Sequence, residues 1–257
     1  MKKTKRTLTQ QNIKEEEIKD TSPKVHQREK INFNLNIKGL DWTEKQKAFI
    51  ELATSKEARV VFLSGPAGCS KTALSVFCAL QLLNQKKASE IVYVRSLIES
   101  ASQSMGFLPG FAEDKLKPYI TPLVDKLEEF LPSGDIKKLF ADERLKPAPV
   151  NYLRGASYNA NVVIVDEGQN FDFKELTTVI TRIGKFSKFF ILGDPMQSDL
   201  KHREYSGFKP MFDLFNCEES QNNGIFCVEF GKEDIMRSEI LKFIINQIEK
   251  YNDQKIK

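Results

Sequence analysis

The stretch "RVVFLSGPAGCSKTALSVF", Arg59 to Phe77, is what most limits the folds open to this chain. A β-rich run ends at Gly65, a glycine-bearing turn passes through Pro66, Ala67, Gly68, Cys69 and Ser70, and Lys71, Thr72 and Ala73 open a helical segment. In such a strand–loop–helix unit the backbone N–H groups curl around phosphates, and the helix N-terminus adds partial positive charge. On this pattern Lys71 reaches the β- and γ-phosphates and the Thr72 hydroxyl ligates Mg²⁺, so ATP and Mg²⁺ are the expected cofactors. Ser70 stands where the pattern has its last glycine. If the backbone there needs a positive φ, a side chain costs roughly 1–2 kcal/mol, which charge-assisted bonds to a triphosphate offset. The alternative reading is a turn that merely joins a strand to a helix.

The rest of the chain repeats that alternation. "EIVYVR", "NVVIVDE", "KFFILGD" and "GIFCVEF" are further buried-type strands, and "DKLKPYITPLVDKLEEFL", "DFKELTTVITRI" and "FKPMFDLF" are helical candidates between them. Short apolar strands separated by helices predict an α/β fold of the P-loop NTPase kind, a mostly parallel sheet flanked by helices on both faces. Residues 1–38 read as a polar, disordered tail and 39–257 as the ATPase domain. A proline-bearing insertion over about 96–149 carries one or two helices. Thr43 is a plausible N-cap for "EKQKAFIELATS". In the last segment Ile240, Ile244, Ile248 and Tyr251 share a helical face, which predicts core packing.

Composition narrows the class. Hydrophobic residues make up 40% and charged residues 29% of 257, with a net charge of +4, which permits a polyanionic partner without demanding one. Four cysteines without a C-x-x-C pair, beside only two histidines, argue against zinc and read as reduced thiols. No apolar run reaches a membrane span, and a cytoplasmic protein is expected.

Two more elements make the loop part of a constellation. Val162 to Val165 run into Asp166 and Glu167, and two carboxylates at the end of a buried strand are costly unless they serve a ligand. Asp166 suits the water shell of Mg²⁺, and Glu167 suits orienting and activating the attacking water. "FFILGDPMQSDL" delivers Gly193, Asp194 and Gln197 to the same sheet edge, where an amide can bond the γ-phosphate or the water. Each taken singly also fits an ordinary strand exit or turn.

Taken in order, "GPAGCSKT", "MGFLPG" with "KPYITPLVDKL", "NYLRG", "VIVDEGQN", "TRIGKFSKFFILGDPMQSDL" and "SGF" resemble PhoH-like proteins, phage forms included, over about Thr43 to Tyr251. That resemblance implies a single ATPase core related to those of superfamily 1 helicases, a homo-oligomer such as a hexamer, and single-stranded RNA or, less favoured, DNA as partner. The loop departs from the family's commonest form at Cys69 and Ser70, and Gly168 stands where alanine is usual. The resemblance also implies roles outside the loop. Gln46 is placed to read adenine, the alternative being an exposed helix glutamine. Arg95 and Glu99 are placed to touch nucleic acid, the alternative being a surface ion pair. Arg182, Arg237 and Arg154 are candidates for a charge-stabilising finger, or else structural arginines.

The expected activity is Mg²⁺-dependent ATP hydrolysis by one helicase-like core. No chain after Tyr251 remains to build a second motor domain, so assembly or a partner is expected to complete the site. A slow-hydrolysing nucleotide switch or scaffold is the main rival, and a small-molecule kinase, which needs an acceptor pocket and lid arginines, is the second.

Overall fold

In a computed structural model the chain is described over residues 34–96, 112–149, 157–198, 200, 206–236, 240, 243–247 and 251. Among the described residues six strands form one sheet: β1 (Val60–Ser64), β2 (Glu90–Arg95), β3 (Leu145–Pro149), β4 (Asn161–Asp166), β5 (Lys188–Gly193) and β6 (Ile225–Glu229), in the order β3-β2-β4-β5-β1-β6. Every pairing is parallel. Helices α1 (Glu44–Thr54), α2 (Lys71–Asn84), α3 (Ala112–Glu128), α4 (Ser133–Ala141), α5 (Phe173–Ile180), α6 (Phe208–Phe215) and α7 (Glu218–Asn222) make the connections.

The continuous apolar strands are explained by burial on both faces. On one face Val60, Phe62, Val92, Val94, Val163, Val165, Phe189 and Ile191 pack against Leu176 and Val179 of α5 and Phe208, Met211 and Phe212 of α6. Residues of the other parity, such as Leu63, Tyr93, Ile164 and Leu192, are equally buried, and α2 touches β2, β4 and β5 there. The expected doubly covered parallel sheet is the one observed.

The compact unit begins at Asn34. Leu35 is buried, and its N–H donates to Asn84 Oδ1 at 2.9 Å. Trp42, Phe77 and Phe130 then cluster with ring centroids 5.5–6.2 Å apart, pinning the approach to α1 against α2 and the end of α3. Thr43 caps α1 as expected, in a capping box with Gln46.

Two expectations change. The segment read as an insertion supplies α3 and α4 but also the edge strand β3, which among the described residues pairs only with β2. The prolines of "KPAP", Pro147 and Pro149, lie within this strand, and a proline without an N–H is tolerated on an edge, where one side of the strand has no ladder to complete. The second change is at the C-terminal end. Ile240, Ile244 and Tyr251 are exposed together with Phe243, and Ile245 is the buried residue. The core-packing expectation for that stripe therefore fails at these three positions, because the helix packs through a neighbouring face. Ile248 lies outside the described residues.

Candidate active site

Strands β4, β5 and β1 are neighbours, so the loops leaving their carboxyl ends must share one edge. In register, Ser64 lies beside Gly193 and Arg95 beside Asp166. The phosphate-type loop, the acidic pair and the Gly193–Gln197 turn are thereby brought together, as the motif order implied.

The loop is held from within. Lys71 Nζ donates to the Gly65 carbonyl at 2.7 Å and the Pro66 carbonyl at 3.0 Å, and the Cys69 thiol donates to Pro66 O at 2.9 Å. Gly68 has φ 88°, and Ser70, the N-cap of α2, has φ 63°. The positive φ that makes a glycine natural at position 70 is present, so Ser70 carries the strain expected of a side chain there. Cys69 is fully buried beneath the loop, and burial pushes its thiol above the ordinary value despite the nearby Lys71 charge. Its side chain is an inert neutral filler, which leaves only its backbone for a ligand.

Across the sheet edge, Thr72 Oγ1 donates to Asp166 Oδ1 at 3.0 Å, and the Glu167 N–H donates to the same oxygen at 3.1 Å. The other oxygen, Oδ2, accepts from the Tyr93 hydroxyl at 2.5 Å. Tyr93 is 1% exposed. Burial first, and then the Asp166 charge, push its phenol well above the usual tyrosine range, so it is a neutral donor. Glu167 has φ 54°. Its Oε2 accepts from Gln169 Nε2 at 2.6 Å, and its Oε1 lies 3.6 Å from Arg95 Nη2, both side chains being partly solvated. Gln169 in turn accepts the Asp194 N–H at 3.0 Å and takes a bond from Ser198 Oγ on its backbone carbonyl, at 3.2 Å. A Cβ at Gly168 would fall 2.7 Å from the Leu192 carbonyl, so the close passage of this turn over β5 explains the glycine.

The loop and its neighbours border two clefts of about 380 Å³ each. One is walled by the second half of the loop, Asp166, Glu167, Gln169 and Gln197, and reaches Leu40, Lys126 and Met236. The other lies against Gly65 and Pro66 under Phe230 and Met196. Ala67, Asp194 and Gln197 belong to both. Gln197 is exposed, with its N–H bonded to Asp194 O at 3.0 Å.

Among the described residues no group of three or more His, Cys, Asp or Glu side chains could hold a metal by itself. One hydroxyl and one carboxylate side by side are oxygen donors that fit Mg²⁺, a cation that keeps several waters and needs few protein ligands. Thr72 and Asp166 are the residues that would hold it.

The outlying candidates are placed differently. Gln46 is fully buried rather than exposed. Its Oε1 accepts the Thr43 N–H at 3.0 Å, while its Nε2 has no partner among the described residues. Arg182 follows α5 at the amino-terminal edge of the sheet, where its carbonyl accepts the Tyr158 N–H at 3.0 Å and its Nε donates to Thr178 O at 3.3 Å. That edge is opposite the phosphate-type loop of the same chain. Arg237, Glu99 and Arg154 lie outside the described residues. Two residues at the site were not anticipated: Tyr93, whose only signal is a polar ring in the aliphatic run "IVYVR", and Gln169, which follows the acidic pair closely enough to have been read with it.

A family model described as PhoH-like protein matches residues 40–249. The chain is 31% identical over 208 residues to a PhoH-like protein of Synechocystis, covering 81% of this chain and 61% of that one. It is 33% identical over 201 residues to a PhoH-like protein of Bacillus subtilis, covering 78% and 61%. It is 34% identical over 197 residues to protein PhoH of Escherichia coli K12, covering 76% and 54%. The chain thus spans between about half and three fifths of the length of these relatives.

Proposed function

The chain belongs to the PhoH-like protein family, and from that premise we propose that it binds ATP with Mg²⁺ and hydrolyses it to ADP and phosphate. The observation that carries this reading is the meeting of Thr72 and Asp166 at 3.0 Å beside the Lys71 loop, with Glu167 and Gln197 on the same cleft. Lys71 already bonds carbonyls in the first half of the loop and exchanges them for β- and γ-phosphate oxygens. Glu167 accepts a proton from the attacking water as the water's oxygen bonds to the γ-phosphorus and the bond to ADP breaks. Gln197 positions that water or the γ-phosphate. Bound Mg²⁺ supplies neutralisation of the charge on the β- and γ-oxygens. Among the described residues Gln46 Nε2 has no partner, which costs about 1–3 kcal/mol unless an acceptor such as an adenine ring nitrogen satisfies it.

Ser70 tunes the affinity in this reading. Ser70→Gly removes a side chain from φ 63°, and if the relieved strain is about 1 kcal/mol, ATP binds roughly fivefold tighter. Titration with a fluorescent ATP analogue checks it, and an unchanged or weaker affinity means that the serine makes a useful contact of its own.

Assembly and partner are part of the same proposal. The reaction needs positive charge at the γ-phosphate. Arg182 sits on the edge away from its own loop and reaches a γ-phosphate only in a neighbouring copy. Arg237 follows Met236, which lines this chain's own cleft and bonds Gly68 O through its N–H at 3.1 Å. We place the protein in the cytoplasm as an oligomer coupled to single-stranded RNA. Among the described residues no helix is long and apolar enough to cross a membrane. The test is phosphate release against protein concentration, with and without single-stranded RNA or DNA, and with Glu167→Gln protein mixed with Arg182→Ala protein. A motor is stimulated by nucleic acid, and a trans-acting arginine gives recovered activity on mixing. A rate that stays slow with nucleic acid identifies the switch or scaffold instead. Flat specific activity with no recovery on mixing retires the ring.

A further inference from the structure

The two oxygens of Asp166 have different surroundings. Oδ1 faces Thr72 Oγ1 and the Glu167 N–H, at the mouth of the loop. Oδ2 faces inward to the hydroxyl of Tyr93. Tyr93 and Arg95 are two apart on β2 and so project from the same face, and the parallel register sets Tyr93 beside Ile164 and Arg95 beside Asp166. The phenol thus reaches the carboxylate diagonally across the β2–β4 pair, from beneath. The ring is fixed by burial in the layer between sheet and helix, and its oxygen has little freedom to follow a moving carboxylate.

We propose that Tyr93 is a positioning residue for the cation: by holding Asp166 Oδ2 it fixes the carboxylate rotamer that turns Oδ1 toward Thr72 and the bound metal. This rests on the Mg²⁺–ATP reading of the cleft. An aspartate at a strand end has a loose terminal torsion, and without a partner on Oδ2 it spends time turned away from Thr72. A neutral hydroxyl donor is suited to the task, since it stabilises the charged carboxylate without bringing a competing positive charge to the cation's position. Outer hydrogen-bond partners of this kind are worth about 10- to 100-fold in metal affinity.

Tyr93→Phe tests it, because the ring volume is kept and only the hydroxyl is lost. The quantities measured are the affinity for a fluorescent ATP analogue in EDTA and the Mg²⁺ concentration that half-saturates the metal-dependent gain in affinity. The expected result is an unchanged affinity in EDTA and a half-saturating Mg²⁺ concentration raised about 10- to 100-fold. In an Asp166→Asn background the same Tyr93→Phe change should add nothing, which a general loosening of the fold does not reproduce. An unchanged Mg²⁺ requirement overturns the proposal. So does an equal loss of affinity with and without Mg²⁺, which marks Tyr93 as structural only. If the unsubstituted protein binds the analogue equally well in EDTA and in Mg²⁺, the metal-site reading beneath the proposal has failed, and the proposal falls with it. Those outcomes are told apart by the unsubstituted protein alone.

Discussion

Glu167→Gln is expected to leave ATP affinity within a fewfold and to slow hydrolysis by roughly 10²–10⁴, the range of a general base. The geometry makes this a clean change. Glutamine keeps the shape of the side chain, and its amide oxygen can accept from Gln169 Nε2 as the carboxylate oxygen now does at 2.6 Å. The left-handed backbone at φ 54° is no worse for glutamine than for glutamate. What is lost is a carboxylate able to take the proton of the attacking water. Single-turnover phosphate release, set beside equilibrium binding of the ATP analogue, separates the two quantities. Equal losses of binding and rate would make Glu167 a ligand or a structural group. Because Arg95 Nη2 lies 3.6 Å from Oε1 in partial solvent, that pair is a weak restraint, and Glu167 is free to leave it when a water molecule is in place.

The second large effect is expected at Lys71. Lys71→Ala should abolish measurable turnover and weaken ATP binding by one to two orders of magnitude, since charge-assisted hydrogen bonds contribute about 1.5–3 kcal/mol. No other cation of the loop can replace it: from Gly65 to Thr72 it is the only basic residue. The substitution also removes the Nζ bonds to the Gly65 and Pro66 carbonyls, so the empty loop loses part of its internal support. Thermal unfolding without nucleotide measures that component, and the difference in stabilisation by added ATP isolates the phosphate contact. Normal turnover in this variant would place the reaction elsewhere in the protein.

Much of the site was legible because its chemistry is local. A glycine-bearing turn between a β-rich run and a helix, a pair of acids ending an apolar strand, and a Gly-Asp-Pro-Met-Gln turn are each set by neighbouring residues. Their order along the chain is enough to align them on one edge of a parallel sheet. The strain at Ser70 was also readable, since the left-handed position belongs to the loop itself. Less legible was everything that depends on which strand lies beside which. Tyr93 and Asp166 are far apart in sequence and meet only because β2 pairs with β4. Gln169 takes its place at the site because the turn after β4 passes over β5, where its Oε1 accepts the Asp194 N–H. Arg182 reads in the sequence as a finger candidate or a structural arginine, and only the sheet's polarity puts it on the edge away from its own loop.

The same division explains the two expectations that changed. Prolines in "KPAP" exclude a central strand but not an edge strand, and only the sheet order shows that β3 is on the edge. Helical spacing of Ile240, Ile244 and Tyr251 shows that they share a face, yet a periodicity carries no information about what that face meets. The helix buries Ile245 and exposes the stripe. The layered α/β class, the loop and the acids can be read from the residues alone, because backbone conformation and strand burial follow from short-range residue patterns. Which side chains hold those acids and which helix face is covered emerge in the folded chain, because hydrogen bonds and apolar burial across strands depend on pairing order, register and packing between segments distant in the chain.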